Sequence, residues 1–260
     1  MKNKDYEIFN KEFLKKGYFK FKLDRLVFKR INQIFKDIVY KKTDKKFQLK
    51  NFHKNYDVKK VNEMRLFLFS EINKDMKFRE LIFKSASKYI DYTVGSEICC
   101  GDANVSIQCP GDQTSILQLH TDFFSGESLF QINVWFPFMD VKKTQSMFVM
   151  SPALSLEVLE EIKENENTNF QKLDKKYIKK MKWVEAKFGE ALVFSPNILH
   201  GNVVNEEKDT RFSINIRFKN IYSPQTKIEN EKKIGSFYKP FAFKSVTNFN
   251  LKYNFTELFK

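Results

Sequence analysis

Between Tyr92 and Phe218 the chain breaks into short apolar runs separated by Gly, Pro and Asn, and this texture limits the possible folds more than any other feature. SILQLHTDF, LFQINVWFPF, SMFVMS, WVEAKFGEALVFSP and TRFSINIRF are each rich in Val, Ile, Phe or Trp. Several alternate apolar with polar residues, as strands with one buried face do. Strands that recur without a βαβ rhythm favour an antiparallel sandwich or jelly-roll barrel over a parallel sheet. One helix interrupts the series: Ser155 caps LEVLEEIKEN, with Leu156, Leu159 and Ile162 along one side.

The residues before this stretch have a different period. Leu26, Phe28, Ile31, Ile34, Phe35 and Ile38 recur at helical spacing, as do Val61, Met64, Leu66, Leu68 and Ile72. Residues 41–60 are charged and read as a surface connection. The expected organisation is one structural domain: a helical N-terminal region over 1–93, a β core over 94–225 and an extension over 226–260. The extension is rich in Phe and Lys, and packs over the barrel or lines its mouth. With 260 residues, 42% of them hydrophobic, the chain can bury a sizeable core.

Charge is uneven. Residues 1–60 hold nineteen Lys and Arg against seven Asp and Glu, a net +12 of the chain's +14. Such a segment attracts a membrane surface, nucleic acid or an anionic substrate, or is simply a set of solvated helix faces. No Arg-rich tract, zinc spacing or aromatic RNA-binding signature accompanies it, so no nucleic-acid partner is expected. Cys99, Cys100 and Cys109 are odd in number and lack metal-like spacing, which fits a reducing compartment. The start, MKNKDYEIFNKEF, lacks the apolar core of a signal peptide, and no stretch approaches the ~20 apolar residues of a membrane span. The expectation is a cytoplasmic protein, with peripheral docking at the inner face of the membrane through the basic N-terminal region as a further option.

Of only three histidines, two lie in the β-rich stretch. His53, in the helical region, reads as a surface residue. His120 in LHTDFFSG stands two before Asp122; on a strand the two point to the same face, about 6.5–7 Å apart. His200 follows in FGEALVFSPNILHGNVV. Two imidazoles and a carboxylate suit one face of an octahedral Fe(II), leaving three positions open. A chelating keto acid can take two of them and O2 the third. Arg211 follows His200 with ten residues between them, and alternation places Arg211, Ser213, Asn215 and Arg217 on one strand face. A buried Arg beside a hydroxyl suits a bidentate grip on a carboxylate, such as the remote one of 2-oxoglutarate. Gln118 shares the face of the metal ligands and is a candidate contact to cofactor or substrate. Each element has an ordinary reading: HTD as a chance match, His200 as a turn residue, Arg211 as half of a surface ion pair. Their conjunction in one β-rich segment points to catalysis.

The pattern H-x-D, then H, then ten residues, then R-x-S resembles that of Fe(II)/2-oxoglutarate-dependent oxygenases. CPGDQTSILQLHTDFFSGESLFQINVWFPFMDVKKTQSMFVMSP and LHGNVVNEEKDTRFSINIRFKNIYSP are similar to phytanoyl-CoA dioxygenase-like proteins. Among these they most resemble the 2-oxoglutarate oxygenases of sporadic carbohydrate gene clusters, over roughly residues 95–225. The resemblance implies a mostly β fold with flanking helices, built on a double-stranded β-helix (cupin-like jelly-roll) core. It implies His120, Asp122 and His200 as ligands to Fe(II), Arg211 and Ser213 as the grip on 2-oxoglutarate, and Trp135 and Thr144 as walls of that pocket. It also implies O2 as co-substrate, ascorbate as reductant, and oxidation of a sugar, nucleotide-sugar or other glycan precursor. Amino acids, acyl thioesters and small natural products are the alternative substrates; a non-catalytic jelly-roll sugar binder is the alternative class. Arg217 and Asn215 either contact a polar, anionic substrate or make a cross-strand ion pair, and Asn202 carries the same ambiguity.

Overall fold

The computed structural model describes residues 4–44, 47–164, 176–224 and 232–253. Two antiparallel sheets form the centre. The larger runs β1 (Tyr18–Lys22), β7 (Glu190–Phe194), β4 (Gln131–Pro137), β9 (Arg211–Asn220), β2 (Ile98–Cys100) and β10 (Lys239–Ala242), with β3 (Asn104–Gln108) also on β9. The smaller runs β6 (Lys182–Trp183), β5 (Phe148–Val149) and β8 (His200–Gly201). This is a double-stranded β-helix core with flanking helices.

Alternation along β9 and β4 sorts the two faces of the large sheet. Phe212, Ile214, Ile216 and Phe218 of β9 join Ile132, Val134 and Phe136 of β4 in the main apolar core. Helices α2 (Arg25–Val39), the short α3 (Phe52–Asn55), α4 (Val58–Asn73) and α5 (Lys77–Val94) cover that face. Phe35 of α2 stacks on Phe138 with ring centroids 3.8 Å apart. The opposite face carries Ser213, Asn215 and Arg217 with Trp135, and borders a cavity.

Several elements differ from the sequence reading. YFKFK is a strand within the otherwise helical N-terminal third, and β1 pairs with β7 over its full length. The preceding Gly17 has φ 76°, and a Cβ there would meet Ile198 Cγ2 at 2.5 Å, so only glycine turns the chain from α1 (Lys4–Lys16) into the sheet. Helix α6 (Pro152–Glu164) begins earlier than expected. Ser151 caps it, accepting from Leu154 N at 3.3 Å. Ser155 lies one turn inside, where its hydroxyl accepts from Leu199 N at 2.9 Å. The buried side of α6 is therefore Ser155 and Val158, with Leu159 and Ile162 packed beside them, while Leu156 faces solvent. Leu26 and Leu66 are likewise exposed, each one position off its helix's apolar stripe. SILQLHTDF forms no strand: His120 makes a single bridge to His200, and Asp122 opens a 3-10 turn over Asp122–Ser125.

The three cysteines are buried and free. No helix among the described residues is long and apolar enough to cross a membrane. The last helix, α7, spans Ser245–Tyr253.

Candidate metal centre and its cavity

His120 and His200 are held as a pair by reciprocal backbone hydrogen bonds, each N–H donating to the other's carbonyl at 3.0 Å. Directly opposed residues carry their side chains on one side of the ladder, and the two rings lie 4.4 Å apart. Each Nδ1 lies against the carbonyl two residues earlier, His120 against Gln118 at 2.7 Å and His200 against Ile198 at 2.9 Å. Donation to a carbonyl fixes the proton on Nδ1 and leaves the Nε2 lone pair for a metal. Asp122 enters from the 3-10 turn, which ends at Gly126 in the left-handed region (φ 81°). Its Oδ1 lies 3.7 Å from His120 Nε2 and 3.8 Å from His200 Nε2. Donors bound about 2.1 Å from one ion are at most about 4.2 Å apart, so both separations fit a shared metal. One ligand atom from each of the three residues lies within 4.8 Å of the others.

The second carboxylate oxygen is committed elsewhere. Asp122 Oδ2 accepts from Asn133 Nδ2 at 2.6 Å and faces the Arg217 guanidinium at 3.3 Å. Burial alone would raise this carboxyl, but Arg217, His200, the Asn133 hydrogen bond and His120 together hold it down to about 2. Burial, reinforced by His120, brings His200 down to about 4 and keeps its ring neutral. An ionised carboxylate and neutral imidazoles are the protonation states that metal binding needs.

Arg217 also reaches Glu127, its Nε 3.2 Å from Oε1. Glu127 is fully buried and pairs with Lys232 Nζ at 2.5 Å. Tyr238 donates to Glu127 and lies against Gln131. Arg217 thus pairs with acidic groups of the turn after His120, not across a strand, and also lines the cavity.

Arg211 is buried and has no carboxylate partner among the described residues. It donates to the Gln145 carbonyl at 3.0 Å and to Ser106 Oγ at 3.1 Å. Burial lowers its guanidinium to about 10. Ser213 Oγ is also buried and has no hydrogen-bond partner among the described residues. Register explains the grouping: Ser106 pairs with Ser213 and Asn104 with Asn215 across β3 and β9, so their side chains share the cavity face.

The cavity measures about 640 Å³ and is bordered by α4, β3, residues 114–117, β4, β9, Lys232 and Phe237. Trp135, Ser213, Asn215 and Arg217 line it. The other expected contacts are used differently. Gln118 is exposed, and its contribution is the carbonyl that orients His120. Thr144 Oγ1 accepts from Glu206 N at 3.0 Å and ties two loops together. Asn202 accepts from Leu117 N at 2.5 Å and donates to the Ser115 carbonyl at 3.2 Å, spending both ends of its amide on the adjacent loop. His53 is half-buried rather than a surface residue, with Nδ1 2.8 Å from Thr210 Oγ1.

Asn133, Ser106 and Glu127 escape the sequence reading. For Asn133 a signal exists: it is the polar residue sharing Trp135's face in an apolar strand. Ser106 and Glu127 have none, because only the pairing of β3 with β9 and the turn after Asp122 bring them in.

No family model matches the chain, and no curated protein matches it. Solved structures do. EctD from S. alaskensis, determined with 2-oxoglutarate and 5-hydroxyectoine, superposes with a TM-score of 0.60 at 11% identity, over 94% of this chain and 86% of that one. The non-heme alpha ketoglutarate dependent carbocyclase SnoK from nogalamycin biosynthesis gives 0.56 at 11% identity, over 91% and 95%. EvdMO1 gives 0.57 at 15% identity over 83% of this chain, which spans 50% of that protein's length. The class defined by these matches is the cupin-like double-stranded β-helix fold. Within that fold, this chain brings together a His-Asp-His cluster able to hold a metal ion.

Proposed function

We propose that the protein is an Fe(II)- and 2-oxoglutarate-dependent oxygenase. The observation that carries this reading is the convergence of His120 Nε2, Asp122 Oδ1 and His200 Nε2, with both Nδ1 atoms tied to carbonyls. These three residues hold the metal, and Arg211 with Ser213 pairs the remote carboxylate of 2-oxoglutarate. Arg211 suits that role because it is a buried cation without an anion, beside an unpartnered hydroxyl. Bound Fe(II), 2-oxoglutarate and O2 supply the oxidising power for a C–H bond, with ascorbate maintaining the reduced metal. The chain's own tasks are to orient both imidazoles, to keep Asp122 ionised through Asn133 and Arg217, and to position a substrate in the cavity. Phe194, whose ring is 5.1 Å from that of His200, forms part of a dry wall.

The substrate we propose is a sugar, nucleotide sugar or glycan intermediate. The sequence resemblance supports it, and so does a cavity lined by Asn104, Ser106, Ser213 and Asn215, which suits a hydroxylated molecule. Amino acids, acyl thioesters and small natural products form the comparison panel. Succinate formation from 2-oxoglutarate is to be measured with Fe(II), ascorbate and each candidate. A substrate-dependent rise, with a +16 mass shift, supports the assignment. Metal binding without 2-oxoglutarate binding would favour a non-catalytic jelly-roll binder.

A further inference from the structure

We propose that the cavity mouth is an anion site formed by Arg65 of α4 and Lys232, and that the substrate carries a phosphate or carboxylate there. The substrate class rests on the oxygenase reading; the anion site does not.

Arg65 and Lys232 both border the cavity, and among the described residues no Asp or Glu borders it with them. Arg65 is exposed, and among the described residues its guanidinium meets only the Asn62 side-chain carbonyl, from Nε at 3.3 Å and from one terminal nitrogen at 2.7 Å. Asn62 also borders the cavity, so the pair presents an oriented fork with its remaining N–H groups unspent. Lys232 shares Glu127 with Arg217, whose other carboxylate partner is Asp122.

Charge balance then locates the excess. With the metal in place, its two charges are met by Asp122 and by one carboxylate of 2-oxoglutarate. The other carboxylate meets Arg211. Arg217 and Lys232 together exceed Glu127 by one positive charge, and Arg65 adds a second. Both surplus charges sit around Arg65, Arg217 and Lys232, away from the end of β9 that carries Arg211. Partly desolvated charges of one sign focus an oppositely charged ligand. Planar forks of the Arg65 type match phosphate and carboxylate oxygens.

Three sugars sharing a ring separate the possibilities: glucose, glucuronate and glucose 1-phosphate. Their binding is to be measured by calorimetry to the metal-free protein and to the protein loaded with Ni(II) and 2-oxoglutarate. At least one anionic sugar is expected to bind about tenfold or more tightly than glucose. Arg65→Gln should abolish that preference and Arg65→Lys should retain part of it, both with an unchanged thermal midpoint. Equal binding of all three sugars, no binding of either anionic one, or an unaltered preference in Arg65→Gln would overturn the proposal. Ni(II) and 2-oxoglutarate are titrated first on the same samples. Failure there removes the oxygenase reading, whereas an Arg65-dependent preference in the metal-free protein sustains the anion site.

Discussion

At the scale of residues, the candidate site divides into the three clustered donors and the groups that set their state. Asn133 is of the second kind, holding Asp122 Oδ2 at 2.6 Å. Asn133→Ala is expected to weaken Fe(II) binding by about 10- to 100-fold, the usual cost of losing a group that orients a ligand. Unchanged affinity would mean that Arg217 alone holds the carboxylate. Arg211→Ala should raise the concentration of 2-oxoglutarate needed for half-maximal binding while leaving metal affinity near that of the parent. His200 also sets a pH dependence. Its folded value of about 4 lies below the ordinary 6.5, so the native state favours the neutral ring. Above pH 6.5 this costs nothing; as pH falls from 6.5 towards 4, protons bind the unfolded chain first and stability is lost. The metal-free protein should lose up to roughly 3 kcal/mol over that window through this group. Urea unfolding at pH 7 and pH 5 reads it, and a His200→Gln variant should show a smaller drop. His120, Asp122 and His200 were legible in sequence because histidine is rare in this chain and two of its three copies fall in the β-rich stretch. Their supporting groups were not, because Ser106 and Glu127 are common residues made significant only by register and turn geometry.

At the scale of elements, alternation was the most informative signal and helix edges the least. In TRFSINIRF the period of two assigned each side chain to a face, and the core and cavity faces of β9 follow it. For α6, the same hydroxyl chemistry that makes Ser155 a plausible cap also serves Ser151, and the Pro at the first helical position decides between them. LHTDF was expected to be a strand, yet one bridge suffices to align His120 with His200 and the 3-10 turn then delivers Asp122. β1 was masked by the helical spacing around it, although YFKFK alternates plainly. Its attachment depends on Gly17. Gly17→Ala should lower stability by more than about 1 kcal/mol, since the left-handed backbone and the contact with Ile198 both oppose a Cβ. A chemical denaturation midpoint equal to the parent's would show that the α1–β1 turn rearranges freely.

At the scale of the whole molecule, α2 and α5 pack on one face of the large sheet and the cavity opens on the other, with α4 reaching both. Apolar residues of α2, α4 and α5 fill one face, and the polar stripe of β3, β4 and β9 borders the cavity on the other. Truncating the helical side should therefore weaken the fold before it alters the metal ligands. Phe35→Ala, which removes the ring stacked on Phe138, is expected to cost about 3–5 kcal/mol while Fe(II) stoichiometry at low temperature stays unchanged. The direct test of the site is an anaerobic Fe(II) titration of the parent protein, His200→Ala and His53→Ala. We predict one Fe(II) per chain for the parent and His53→Ala, and none retained by His200→Ala. Full Fe(II) binding by His200→Ala, or its loss in His53→Ala, would contradict a centre built from His120, Asp122 and His200.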